Sequence, residues 1–154
     1  MTLHFAYGAN MSRAVMRRYA PGAHALGVAE LLGYRFVITA DGYASVKPAR
    51  AVTVHGVLWR LTPRDRVLLD AWENVAAGLY RAETRPVRNA GRLVPALVYV
   101  ARPGGEGRPK PGYMELVTAA AREWEMPADY IDSLQRWSAA RSVGSDARKI
   151  GEFR

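Results

Sequence analysis

Strand-forming runs come first in this chain and helix-forming runs come last, and that order limits the fold more than any other feature of the sequence. Residues 25–32, 34–39, 52–61, 79–87 and 92–101 read as strands, with β-branched and aromatic side chains frequent in all but the first, and turn residues bound the runs. Residues 44–47 read as a further short strand that Pro48 ends, and Asp41-Gly42 reads as the turn before it. Helical signals then gather after residue 112. A regular strand-helix alternation would have called for a doubly wound parallel sheet; its absence points to an α+β domain.

Within that order the local signals are specific. Residues 52–61 form the strongest strand, expected in the interior of a sheet, with Gly56 marking a bulge or a close backbone approach. Thr62-Pro63-Arg64-Asp65 starts a helix, with Thr62 as its cap and Pro63 in the first turn. Along it, Val67, Leu68, Ala71 and Trp72 fall on or near one face, which is expected to lie on the sheet. Asn89-Ala90-Gly91 is a hairpin turn, and Pro95 in the returning strand argues for an edge or a bulge. Residues 102–112 form a long glycine- and proline-rich loop, read as a lid or mobile arm. Two helices follow, at 113–124 and 127–137.

The 154 residues fit one domain, 1–154, with 138–154 as a basic C-terminal tail. A hydrophobic share of 49% with 23% charged is that of a globular chain, and no window is apolar for long enough to span a membrane. The opening Met-Thr-Leu-His carries neither a basic flank nor a long apolar run, so a cytoplasmic protein without a secretory leader is expected. The absence of cysteine excludes disulfides and thiolate chemistry. A net charge of +8 suits nucleic acid, an anionic membrane or an acidic substrate, but the arginines are dispersed rather than striped, which favours a solvated surface.

Candidate chemistry narrows by elimination. His4, His24 and His55 lack metal-ligand spacing, and neither a nucleophile elbow nor a phosphate loop occurs, so no metal is expected. Among the carboxylates Glu73 stands apart: it ends an apolar helix beside Trp72 and Val75, ahead of the small residues Ala76, Ala77 and Gly78. Its spacing alone also fits an exposed glutamate at a helix end. In a cleft, desolvation would favour its protonated form and suit it to act as a base near neutral pH. Asp70, one turn earlier, is expected to be structural.

At the N-terminus, Leu3, Phe5 and Tyr7 alternate as in a strand, Gly8 to Asn10 break the pattern, and Ser12 can cap a helix over 13–19. Such a junction turns successive backbone N–H groups toward one point, suited to a carboxylate or a developing oxyanion. It also fits a simple connection between a strand and a helix.

Phe5-Ala6-Tyr7-Gly8-Ala9-Asn10 resembles the Phe-Ala-Tyr-Gly-Ser-Asn opening of the gamma-glutamylcyclotransferase (AIG2-like) family, with Ala9 in place of serine. Leu69-Asp70-Ala71-Trp72-Glu73-Asn74-Val75, with Tyr80 downstream, is similar to the family's Leu-Asp-x-x-Glu-Gly-Val segment, with Asn74 for glycine. The run 54–59 looks like its Gly-Val-Val-Trp strand, and Pro111-Gly112-Tyr113 like its Pro-x-Tyr helix entry. These segments fall in order across most of the chain from residue 3 to about 137.

The resemblance implies a small mixed or antiparallel β-barrel with helices packed outside. It also implies a reaction without cofactor, in which a gamma-glutamyl compound cyclises to 5-oxoproline and releases its amine. Glu73 would be the catalytic acid/base, and His4, Phe5, Ala6, Tyr7, Gly8, Ala9, Asn10 and Tyr113 would bind the small-molecule gamma-glutamyl substrate. No nucleic-acid or membrane partner is expected, and a homodimer stays open. The competing readings are a basic barrel that stacks nucleic-acid bases on Tyr34, Tyr43, Tyr80 or Tyr99, and a family member without activity.

Overall fold

The computed structural model describes residues 1–138, so the basic tail lies almost wholly outside the described residues. Five strands, β1 (Thr2–Ala6), β2 (His24–Ile38), β3 (Ala44–Leu61), β4 (Tyr80–Asn89) and β5 (Arg92–Ala101), close into a barrel in the order β1-β3-β2-β4-β5. Among the described residues four α-helices accompany them: α1 (Arg13–Tyr19), α2 (Pro63–Trp72), α3 (Tyr113–Glu123) and α4 (Ala128–Ser138). The barrel is mixed. β1 runs antiparallel to β3, from Thr2 opposite Leu61 to Ala6 opposite Val57, and it meets β5 in parallel at His4 and Leu97. The α+β barrel with outer helices that the resemblance implies is the fold observed.

The hairpin of β2 and β3 is longer than the sequence suggests. Pro48 does not end a strand, because it pairs with Tyr34 and the chain continues through Ala51, at φ 64°, into the strong run from Val54. Irregularities on both strands absorb the missing N–H: the register shifts between Leu32 and Tyr34, and Gly33 takes φ 81°. Two expected strands are therefore one of 18 residues. Gly56 marks a close approach, as a Cβ there would stand 2.3 Å from the Ala6 carbonyl oxygen and 2.7 Å from the Phe5 ring.

α2 buries a different face from the one its apolar residues suggest. Leu69 is fully buried and Asp65 nearly so, whereas Val67 is 67% exposed and Leu68 borders solvent. The reason is the helix's first turn: Thr62 and Asp65 form a reciprocal capping box, and Asp65 also accepts from the Gly22 N–H at 3.0 Å. That anchor turns the stripe of Asp65, Leu69 and Trp72 inward.

The loop after β5 is fastened rather than hanging free. Gly107 N–H donates to Ile38, Ala40 N–H to Gly105 and Lys110 N–H to Gly42, and Thr39 bridges Glu106. It straps the tip of the long hairpin and does not cover Glu73, contrary to the lid expected from its composition.

Candidate active site

Glu73 owes its position to the way α2 stops. Its N–H bonds back to Leu69, Asn74 takes the left-handed conformation at φ 54°, and the N–H groups of Asn74 and Val75 donate to Ala71 and Asp70. This is the double hydrogen-bonded helix ending that favours glycine after the cap, with asparagine the next choice. The segment's one departure from the family pattern, Asn74 for glycine, thus falls where asparagine is tolerated. Glu73 is 8% exposed, at the helix end where the dipole disfavours a carboxylate charge.

The second component comes from β1. After Tyr7 the chain makes a single 3-10 turn, Ala9–Met11, in which Met11 N–H returns to Gly8 and Ser12 N–H to Ala9. Ser12 then caps α1 by accepting from Val15 N–H at 3.3 Å. Among the described residues the N–H groups of Gly8, Ala9 and Asn10 donate to no carbonyl, so they are available to an anion. Trp124 of α3 fixes the turn from outside through its ring N–H on the Met11 carbonyl, at 2.8 Å.

Beneath the turn runs a buried polar chain. His4 Nδ1 donates to the Leu97 carbonyl at 3.1 Å, which leaves Nε2 to accept from the Asn10 side-chain amide at 3.0 Å. Burial holds the imidazole pKa down at about 4, so His4 is neutral at physiological pH and orients Asn10. The Tyr7 hydroxyl donates to the Tyr99 carbonyl at 2.5 Å. Burial, with the nearby Tyr80 and Glu73, pushes the Tyr7 pKa well above that of an ordinary phenol. Tyr99 in turn donates to Asp70 at 2.6 Å, and Arg66 holds the same carboxylate at 3.0 Å. Asp70 therefore has a complete structural job one turn before Glu73.

A cleft gathers these parts. His4, Phe5, Tyr7, Gly8, Ala9, Asn10, Glu73 and Tyr113 all line it, while Ala6 sits in the barrel wall opposite Val57. Tyr113 packs its hydroxyl where a Gly8 side chain would begin, 2.8 Å from that position, and accepts from the Ala44 N–H at 3.3 Å. It is wall rather than cover. The free space is about 20 Å³, room for roughly one water.

Tyr43, Ala44, Trp72, Tyr80 and Tyr99 complete the lining, and the sequence does not assign them to the site. Signals existed for two: Trp72 adjoins Glu73, and Tyr80 stands downstream in the same motif. The competing reading from sequence places Tyr43, Tyr80 and Tyr99 as base-stacking residues on a barrel surface. Tyr80 and Tyr99 are only 3% and 2% exposed, and Tyr43 packs edge-on against Tyr113, so their faces form no exposed row. Tyr34, on β2, accepts from Arg85. Among the described residues no three His, Asp or Glu lie close enough to hold a metal, and no helix is long and apolar enough to cross a membrane.

The five-stranded closed barrel with its outer helices defines a structural class, that of the gamma-glutamyl cyclotransferase fold. A solved gamma-glutamyl cyclotransferase superposes with a TM-score of 0.88 over 98% of this chain and 96% of its own, at 22% identity. An uncharacterized protein from Homo sapiens gives 0.84 over the same shares, also at 22%. YkqA from Bacillus subtilis gives 0.77 at 23% identity, over 93% of this chain and 56% of that one. Among curated proteins no sequence matches significantly. The model of the AIG2-like family matches residues 53–134, and the chain belongs to that family. The matched stretch contains Glu73 and Tyr113; the turn at 7–10 precedes it.

Proposed function

We propose that this protein is a gamma-glutamylcyclotransferase with Glu73 as its general acid/base. The observation that supports this most is the placement of a nearly buried glutamate in one cleft with the unpaired N–H groups of Gly8 to Asn10. The Glu73 carboxylate takes a proton from the substrate's α-ammonium group, and the freed amine attacks the γ-carbonyl carbon of the same molecule. A five-membered ring closes, and the carbonyl oxygen becomes an oxyanion. The N–H groups of the turn stabilise that charge where it develops. When the carbon-nitrogen bond to the leaving amine breaks, the Glu73 carboxyl returns its proton to the departing nitrogen. The ring nitrogen gives up its second proton to solvent as the lactam forms and the departing amine takes one up from solvent, so the products are 5-oxoproline and the amine as its ammonium ion.

Because attacker and target belong to one substrate, the enzyme's task is to hold a bent conformation and move one proton. Ala9 in place of the family's serine is compatible with this role, since the position supplies a backbone N–H. The test is release of 5-oxoproline from a panel of gamma-glutamyl amino acids, amines and peptides by wild type and Glu73→Gln. Turnover is expected to fall by about 100- to 10,000-fold in the variant, with its thermal unfolding close to wild type. Equal turnover in both proteins would refute the assignment of Glu73.

A further inference from the structure

Beside the cleft lies a far larger space that the proposed chemistry has not used, a groove of about 400 Å³ between the hairpin tip, the start of β4 and the strap after β5. Its floor is apolar, with Ile38, Val46 and Val100 buried. Its charged groups are Lys47, Arg81 and Arg102 against Asp41 and Glu106. They are not equally available. Glu106 is occupied by Arg35 and lies 3.8 Å from Lys47, and Lys47 donates to the Gly104 carbonyl at 3.1 Å. Arg81 pairs with Glu83. Arg102 is exposed, and no described side chain pairs with its guanidinium, while its backbone N–H fixes it to Leu79 at 3.0 Å.

The groove adjoins the cleft. Tyr80 lines both, its hydroxyl donating to the Ala44 carbonyl at 2.7 Å, with Ala44 on the cleft side and Ser45 on the groove side. The Ser45 hydroxyl accepts from the Ala101 N–H at 3.0 Å, so the segment that borders the cleft at Ala44 is tied to the groove wall at its next residue. The cleft at Glu73 has room for about one water and the groove has twenty times that, so a substrate whose reacting atoms reach Glu73 must place its bulk elsewhere. Tyr80 stands between the two and is the side chain they share.

We propose that this groove seats an acylated amine with an apolar body and a terminal carboxylate, the carboxylate held by Arg102. On the cyclotransferase reading, on which this part of the inference rests, the acyl group is the gamma-glutamyl half at Glu73, and the amine with its apolar body and carboxylate is the half that leaves. The groove then selects gamma-glutamyl derivatives of apolar amino acids or peptides over those of uncharged or cationic amines. A guanidinium offers two parallel donors to a carboxylate and repels an ammonium group.

The experiment compares three substrates that differ only at this end: gamma-glutamyl-leucine, its counterpart lacking the carboxylate (gamma-glutamyl-3-methylbutylamine), and gamma-glutamyl-putrescine. Wild type, Arg102→Gln and Arg102→Lys are assayed with each. Arg102→Gln is expected to raise KM for gamma-glutamyl-leucine about tenfold with kcat little changed, to leave the carboxylate-free substrate unaffected, and to be partly rescued by lysine. Equal effects on both substrates, or none on either, overturn the proposal.

Binding is measured in parallel with N-acetyl-leucine, which carries the acyl nitrogen and carboxylate but cannot cyclise. Amide resonance shifts at Val46, Val100 and Ala101 that weaken in Arg102→Gln are expected. If no gamma-glutamyl compound turns over while those shifts persist, the cyclotransferase reading fails and the groove stands. Turnover of gamma-glutamyl-leucine without any such shift removes the groove and leaves the reaction.

Discussion

Glu73 and His4 are buried ionisable side chains that both line the cleft, and they are placed differently. Glu73 borders the cleft, whereas His4 is enclosed at 1% exposure and stays neutral because burial penalises the charged imidazolium, although its bond to the Leu97 carbonyl favours the proton. That neutrality links stability to pH. The imidazole pKa is about 4 in the folded protein and about 6.5 in an unfolded chain, so between those values the unfolded state binds the extra proton. Stability is complete above about pH 6.5 and is lost progressively as pH falls toward 4. Lost stability from this group reaches about 3 kcal/mol, at 1.36 kcal/mol per pKa unit. Urea titrations at intervals from pH 7.5 to 4.5 should show the midpoint falling below pH 6.5. His4→Gln, which keeps a donor and an acceptor, should flatten that part of the curve; an unchanged slope would mean that His4 is not its source.

At the scale of elements, the end of α2 is where a local rule and the site coincide. Asn74 must hold φ 54° for the two closing hydrogen bonds to form, and those bonds fix the direction in which Glu73 leaves the helix. Asn74→Gly is expected to retain full stability and activity. Asn74→Ala should cost about 1 kcal/mol and reduce turnover, since a Cβ in the left-handed region is strained by roughly that amount and relief would rotate Glu73. Thermal unfolding and 5-oxoproline release, measured on both variants, separate the two effects. The other end of the same helix shows the limit of a hydrophobic pattern. Asp65, a polar residue, sets which face is buried because its two partners lie in different parts of the chain, Thr62 beside it and Gly22 43 residues away.

At the scale of the whole molecule, β1 carries the turn at residues 7–10 and also joins β3 to β5 in the barrel, so closing the barrel and building the site are one event. Gly56 tests that coupling. A methyl group there would meet the Ala6 carbonyl oxygen at 2.3 Å, a backbone atom two residues from Gly8. Gly56→Ala should destabilise by about 1–3 kcal/mol and also reduce turnover of the folded fraction, because β1 must shift to make room. Full specific activity in the destabilised variant would uncouple the two.

The sequence determined what depends on neighbours along the chain: the Ser12 and Thr62 caps, the Asn89 to Gly91 hairpin, the strand at β5, the late helices and, through motifs in register, the barrel and the identity of Glu73 and the turn at 7–10 as candidates. The caps, the hairpin, the strand and the late helices follow from φ/ψ preference and periodicity, which act over a few residues; the barrel and the site candidates rest on the family resemblance. Only the tertiary structure decided that Pro48 lies inside a strand, that Leu69 rather than Val67 faces inward, that the strap after β5 grips the hairpin, and that Tyr43, Tyr80 and Tyr99 wall the cleft. Each of these rests on partners distant in sequence. Burial and hydrogen bonding to them outweigh the local preference by more than a kcal/mol or so, and no window along the chain contains that information.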